Sequence, residues 1–433
     1  MAMVNPEISK SVAGFRLFRS IGLCCLLTGL LVLSNFVYKT EKYKLKLKSD
    51  LIELSNIKYG LFNVDEWKNI ITDILNKKVE EFELSNQSDG KIKNKISDLL
   101  YTIITNLEER THEQNRGSLK GYIKNSVVNF TGIFQKMKDD VPVFSNEILS
   151  YVNHPENKKQ LKLYISSKLN EYADKTYSKL DYSVHDSIIE AYHAMDRKSA
   201  ITLLNAKLYE AQNELNLYKI ILAAIFFLAI IYVYSIVSAN RLELIVLTLI
   251  CFVLLFLGLL LPMIEIDARI SEFDINLLGE HIYFNDQVIY YKSKSILEVV
   301  HLMLTQGGYD LLFVGLLVLI FSVMFPLLKL ISAMCIILIP KLREQKLIRF
   351  FVYKTGKWSM ADVMVVAIFI AYIGFSGIIT EQLNQLEYLN PQFDVLTTNH
   401  SSLQIGFFAF TAFTILSLVF THKLNLLTKN KQS

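Results

Sequence analysis

Six apolar stretches dominate the chain, at Ser20–Tyr38, Ile220–Val237, Leu244–Leu261, Leu311–Leu330, Ser359–Ile379 and Leu403–Phe420. Each runs to roughly 18–21 residues, which at about 1.5 Å per helical residue matches a hydrocarbon layer about 30 Å thick. Inside such a layer the backbone must satisfy its own hydrogen bonds, so each stretch is read as a helix. The expected fold class is therefore mostly α: a polytopic α-helical membrane protein with six transmembrane helices. The first stretch is expected to be an uncleaved anchor, because "LVLSNFVYKTEK" offers no small-x-small cleavage site.

Basic residues orient the helices. Arg16 and Arg19 precede the first stretch, and Arg241 lies in the tight turn between the second and third. Lys341, Arg343, Lys346, Arg349, Lys354 and Lys357 follow the fourth, and Lys423, Lys429 and Lys431 follow the last. Alternating spans put all of these on one side, which the positive-inside rule makes cytoplasmic. Both termini are then expected inside, with 39–219, 262–310 and 380–402 outside. The run "KTEKYKLKLK" after the first stretch opposes this locally, but charges in long translocated regions count for little.

Residues 40–219 are polar and read as an extracytoplasmic helical domain. Asn63 and Glu66 form a capping-box pattern. Leu99, Leu100, Ile103, Ile104 and Leu107 share one helical stripe. From Glu156 to Leu257 there is neither Gly nor Pro, so long helices are expected, the last running into the membrane at Ile220. Residues 262–310 differ. Their alternation around Gly279 predicts two or three short strands, and Ser295 with Glu298 predicts a capped short helix to Thr305. Together they form a small strand-containing cap. The last outside loop is short and contains Pro391. The tail 423–433 is cytoplasmic.

Composition narrows the chemistry. A formal charge of +4, grouped at membrane edges, gives no basic face for nucleic acid. Cys24, Cys25, Cys251 and Cys335 all lie in apolar stretches and form no CxxC pair. His185 and His193 with Asp181 make at most half a metal site, so no metal and no cofactor are expected. No phosphate-binding loop, nucleophile elbow or zinc-protease motif occurs, and an enzyme is not expected. The informative polar groups are the charges inside or beside the apolar stretches. Lys329 and Asp362 fall at similar depth and can pair between the fourth and fifth helices. Alternatively Lys329 snorkels and Asp362 caps its helix. Pro326 is expected to kink the fourth helix, with "ISAMCIILIP" beyond it along the interface. Trp358 is placed as an interfacial anchor. Gly374 and Gly377 either pack closely or line a route for an amphiphile.

Four segments resemble the paraquat-inducible protein A family: "LLPMIEI" at 260–266, "FSVMFPLLKL" at 321–330, "GKWSMADVMVVAIFIAYI" at 356–373 and "GFFAFTAFTILSLVF" at 406–420. The resemblance spans about 244–422 and implies a four-helix membrane unit in a bacterial inner-membrane protein. It marks Lys329, Trp358, Ser359, Met360 and Asp362 as motif residues, alongside Pro326. The family's implied partners are extracytoplasmic MCE-domain proteins that form tunnels for lipid between the two membranes. This chain departs from the family pattern by having one unit rather than two. It lacks the zinc-ribbon cysteines and carries an added anchor, residues 1–39, and a second helix and turn, 220–243, around the 40–219 domain. The resemblance implies handling of membrane lipids or another amphiphile. The competing expectations are an envelope sensor or scaffold, and an ion-coupled transporter.

Overall fold

The computed structural model describes residues 6–56, 181–235, 240–277, 280–306, 308–339, 341–342, 345–354, 361–387 and 393–429, with scattered positions between 59 and 167. Helix α1, Pro6–Leu54, is a single run of 49 residues, about 74 Å long at the usual helical rise. After the short α2, Ser183–Ala191, comes α3, Arg197–Ser235, of 39 residues. The boundaries drawn at 39/40 and 219/220 thus fall inside unbroken helices, as the Gly- and Pro-free sequence required of the second.

Helices α1 and α3 form an antiparallel pair. On α1 the buried positions include Leu30, Leu33, Val37, Lys44, Leu47, Leu51 and Leu54, and on α3 Ala200, Leu204, Ala211, Leu215, Leu222, Ala229 and Val233. Alternating steps of three and four keep one seam facing the partner, as in a coiled coil. The end far from Arg19 is sealed by Leu47, Leu51, Leu54, Ile188, Ala200 and Leu204. Burying each large aliphatic group there contributes on the order of 2 kcal/mol. Of the expected stripe at 99–107, Leu100 and Ile104 are buried. Leu99, Ile103, Leu107 and the Asn63–Glu66 capping box lie outside the described residues.

The remaining chain builds α4 (Arg241–Leu260), α5 (Ile296–Gln306), α6 (Tyr309–Val318), α7 (Phe325–Leu338), the short α8 (Lys346–Arg349), α9 (Ala361–Glu387) and α10 (Ile405–Lys429). Among the described residues five helical runs are long and apolar enough to cross a membrane, in α1, α3, α4, α6–α7 and α10; the apolar part of α9 in that set, Ala361–Phe375, is shorter. The capped short helix expected from Ser295 to Thr305 is α5, Ile296–Gln306. Ser295 N donates to Glu298 Oε2 (3.1 Å) and Glu298 N to Ser295 Oγ (3.2 Å), the reciprocal capping box.

Helices α6 and α7 are joined by a π-helical turn, Leu319–Met324, directly before Pro326. Proline has no N–H to offer the carbonyl four residues back, and its ring crowds that turn. The wider turn relieves both, and Phe325 N reaches Ile320 O instead. The helix does not end near Leu330 as expected but continues to Leu338, so residues 331–338 extend the same rod.

The cap also departs from expectation. In place of two or three short strands stand two long ones, β1 (Ile264–Leu277) and β2 (Glu280–Lys294), paired from Ile264↔Lys294 to Leu277↔Glu280. Only two residues, one of them Gly279, connect them, as a tight hairpin requires. The last loop supplies β3 (Phe393–Asn399) and β4 (Ser402–Leu403), both antiparallel to β1. The β-branched and aromatic residues of "FDVLTTN" become a strand because β1 presents an open edge.

Helices α1 and α3 lie against α4 and α10, and α7 packs on α4 in the same core; α4 and α10 are the most buried of these, while the apolar parts of α1, α3 and α6–α7 are mostly exposed. Gly258 of α4 sits so close to Phe410 of α10 that an added Cβ would lie 2.7 Å from the Phe410 Cβ and 2.8 Å from its Cα. Helix α6 packs chiefly on α5, and Leu311, Leu312, Phe313, Val314 and Leu316 are exposed around it. Helix α9 likewise exposes Val366, Phe369, Ile370, Ile373, Phe375 and Ile378.

Candidate functional site

Three polar constellations interrupt the apolar bundle. The first joins the start of α1 to the start of α4. Arg19 Nε donates to Glu243 Oε1 (3.0 Å) and Nη2 to Oε2 (2.7 Å), while Nη1 donates to Ser235 O (3.1 Å). Glu243 is 0% exposed and also accepts from Asn240 N at 3.4 Å, closing the first turn of α4. Arg19 is therefore more than an orienting charge: it is a two-point clamp on a buried carboxylate. The sequence offered both residues, but their separation of 224 positions hid the pair.

The second constellation holds the motif lysine. Lys329, 3% exposed, donates from Nζ to Ser417 Oγ of α10 at 3.2 Å. Ser417 in turn donates to Thr414 O (3.4 Å). Pro326, one turn earlier, is buried beside Val323 and Leu330 in the same core. Asp362 is exposed in the first turn of α9, where a carboxylate complements the helix N-terminus. The partner found for Lys329 is thus the hydroxyl of Ser417 rather than Asp362, and the ammonium turns inward instead of snorkelling. Trp358, Ser359 and Met360 lie outside the described residues. Gly374 and Gly377 meet nothing within 4 Å where a Cβ would stand, so close packing is not their role among the described residues.

The third constellation was not anticipated. Where α1 leaves the apolar bundle, Glu41, Lys44 and Lys48 lie on one face, since steps of three and four return to the same side of a helix. That face meets β1. Lys44 Nζ lies 3.0 Å from Glu265 Oε2 and donates to Gln404 Oε1 at 2.8 Å. Lys48 Nζ bridges Glu265 Oε1 (3.1 Å) and Asp267 Oδ2 (2.9 Å), and its charge lies 5.7 Å from the Tyr291 ring centre. Arg269 grips Asp267 through Nε (2.8 Å) and Nη2 (2.9 Å). Burial pushes the Asp267 carboxyl up, but the Arg269 and Lys48 charges outweigh it and hold it below the usual carboxylate range. Burial likewise pulls Arg269 down, and Asp267 more than restores it. Part of the charge of the run "KTEKYKLKLK" is thus committed to acids of the cap.

Gln404 ties this cluster to the bundle. Its backbone N donates to Met263 O (2.9 Å) and its Nε2 to Ser402 Oγ (2.6 Å); Gly406 N donates to Pro262 O (3.0 Å). A Cβ on Gly406 would fall on the carbonyls of Leu261 and Pro262. So one knot holds the end of α4, the root of β1, the start of α10 and the C-terminal half of α1.

His185 packs against the Tyr59 ring at a tilt and edge-on against Tyr182, with Nδ1 2.9 Å from Asp186 Oδ1. Farther along the α1–α3 pair, a groove of about 520 Å³ is lined by Tyr43, Lys46, Asp50, Tyr192 and Lys207, among others. Tyr192 donates to Asp50 Oδ2 there at 2.7 Å.

No curated protein matches the chain. The family model for paraquat-inducible protein A matches residues 285–384. That stretch contains "FSVMFPLLKL" and "GKWSMADV", the two motifs that carried the resemblance, while "LLPMIEI" and "GFFAFTAF" fall outside it. In the fold it runs from the middle of β2 through α5, α6, α7 and α8 to nearly the end of α9, and so includes α6 and α9, which expose apolar residues. Over residues 285–384, then, the chain carries the signature of the paraquat-inducible protein A family.

Proposed function

We propose that the protein handles lipid or a similar amphiphile in the bacterial inner membrane, passing it to or from an extracytoplasmic partner of the MCE type. The observation that carries this reading is the contrast in packing. Helices α4 and α10 are mostly buried, whereas α6 and the described part of α9 expose many apolar residues, among them Phe313, Phe369, Ile370 and Ile373. A membrane helix gains nothing from the hydrophobic effect by standing apart in lipid, and tight helix contacts are what usually hold it. Bare apolar helices below a polar cap leave room for acyl chains, and the open faces of Gly374 and Gly377 widen that room. In this reading both termini are cytoplasmic, six helices span, and the cap and 40–219 region lie outside.

The test is retention of lipid by the purified full-length protein after repeated detergent exchange, read by native mass spectrometry. The wild type is expected to keep one or more lipids. Gly374→Trp and Gly377→Trp, which place a large ring in open space, are expected to lose them while keeping the melting temperature. A delipidated wild type that carries no lipid, or tryptophan variants that retain as much as wild type, would count against the proposal.

A scaffold reading also has support, from the α1–α3 pair. Its seam continues past the apolar segment to Leu54 and Ala200, giving a stiff stalk on which an outside partner could be held.

A further inference from the structure

We propose that Glu41 is a proton-binding site that governs how α1 is fastened to the cap and, through Gln404, to the start of α10. This inference stands apart from lipid handling and survives its failure. Glu41 is 1% exposed, and neither carboxyl oxygen has a hydrogen-bond partner. The titratable groups that face it are Lys44 on its own helix, Lys219 on α3, Glu265 on β1 and Tyr291 on β2. Lys44 is the nearest cation, yet it stands 3.8 Å from Glu41 Oε1 while it lies 3.0 Å from Glu265 and 2.8 Å from Gln404. Lys219 is only partly buried and lies over the Phe408 ring at 5.6 Å. Lys48 and Arg269 are taken by Glu265 and Asp267.

Three carboxylates therefore share this junction, and two of them hold the well-placed cations. The third has no donor. A buried carboxylate with no hydrogen bond is costly, and the neutral acid is the cheaper form. With the proton on Glu41, Lys44 is left to Glu265 and Gln404, the contacts that tie α1 to the root of β1 and the start of α10. With the proton gone, a bare carboxylate beside Lys44 competes for that ammonium against both. The chemistry balances simply: one proton leaves the carboxyl oxygen for water, and one salt bridge is redistributed. Because Gln404 also binds Met263 O and Ser402 Oγ, a shift of Lys44 is felt where α4 ends and α10 begins.

The experiment is infrared spectroscopy of the full-length protein in lipid nanodiscs, titrated from neutral to alkaline pH, with hydrogen exchange of 262–266 and 402–407 followed in parallel. Wild type is expected to show a carboxylic-acid C=O band at neutral pH that Glu41→Gln removes. That band should disappear with rising pH as the protection factors of the two segments, taken against the intrinsic base-catalysed rate, fall. Glu41→Gln, which copies the shape of the neutral acid, is expected to keep its protection factors throughout. A neutral-pH spectrum unchanged by Glu41→Gln would overturn the proposal. So would protection factors that respond to pH equally in both proteins. A Glu41→Gln protein that fails to fold would also overturn it, because the native state would then require the carboxylate.

Discussion

At the scale of residues, Arg19 and Glu243 show most directly how much a single polar contact can matter. Glu243 is fully buried, and its two oxygens are both taken by one guanidinium. Removing one partner of such a pair leaves an uncompensated charge, at a cost of about 3–5 kcal/mol. Replacing both by apolar groups of similar size is often neutral. Arg19→Met is therefore expected to lower thermal stability in detergent strongly, and the double variant Arg19→Met, Glu243→Met to recover most of the loss. A single variant that melts with the wild type would show that the pair does not hold α1 on α4. At Lys329 the same reasoning concerns a hydrogen bond inside the bundle. Ser417→Ala removes the acceptor of its ammonium, and a hydrogen bond to a charged group is worth about 1.5–3 kcal/mol. Ser417→Ala is expected to destabilise the protein by an amount of that order, while Asp362→Asn, on an exposed first turn, is expected to change stability far less. Equal losses from both would restore the direct Lys329–Asp362 pair.

Among elements, glycine separates the packed helices from the bare ones. Gly258 faces the backbone of Phe410, so Gly258→Ala must push α4 and α10 apart, and overpacking of this kind costs about 1–3 kcal/mol. Gly374→Ala adds its methyl to open space in a helix interior, where alanine is the better helix former by about 1 kcal/mol. Opposite signs are expected from the two substitutions in the same melting assay. If Gly374→Ala were as damaging as Gly258→Ala, α9 would be packed against something at that face. The π turn before Pro326 belongs to this scale too. It lets one helical rod keep both a proline and its continuity to Leu338, placing Lys329 one turn beyond the widened segment.

For the whole molecule, the two added helices, α1 and α3, pack against the first and last helices of the family-like unit, α4 and α10. The long stalk and the cap are fastened together by the Lys44–Lys48–Glu265–Asp267–Arg269 cluster on one side, and Arg19–Glu243 fastens the other end. The Lys and Arg distribution predicts that Arg19–Glu243 lies at the cytoplasmic end and the cap outside. In a background lacking the four native cysteines, Ser118→Cys is expected to react with an impermeant thiol reagent in spheroplasts, and Glu344→Cys to react only after the membrane is opened. The reverse labelling would invert the molecule and put the cap inside the cell.

The sequence by itself marked the apolar stretches, five of which lie in helical runs long and apolar enough to cross a membrane among the described residues, because hydrophobic length is a local property. It also determined the capped helix at Ser295, the uninterrupted helix through Ile220 and the family motifs, each written in neighbouring residues. It could not reveal that Lys329 would meet Ser417, that Arg19 would clamp Glu243, or that Lys44 and Lys48 would be spent on Glu265 and Asp267. A charge's partner depends on which helix faces lie together, and these partners are separated by 88 to 224 positions. The strands at 393–403 were likewise undecided until β1 offered an edge, since a short strand gains its hydrogen bonds only from a neighbour. Tertiary structure alone decided that the added helices join α4, α7 and α10 in one core, because steps of three and four on α1 and α3 define a seam but not what lies beside it.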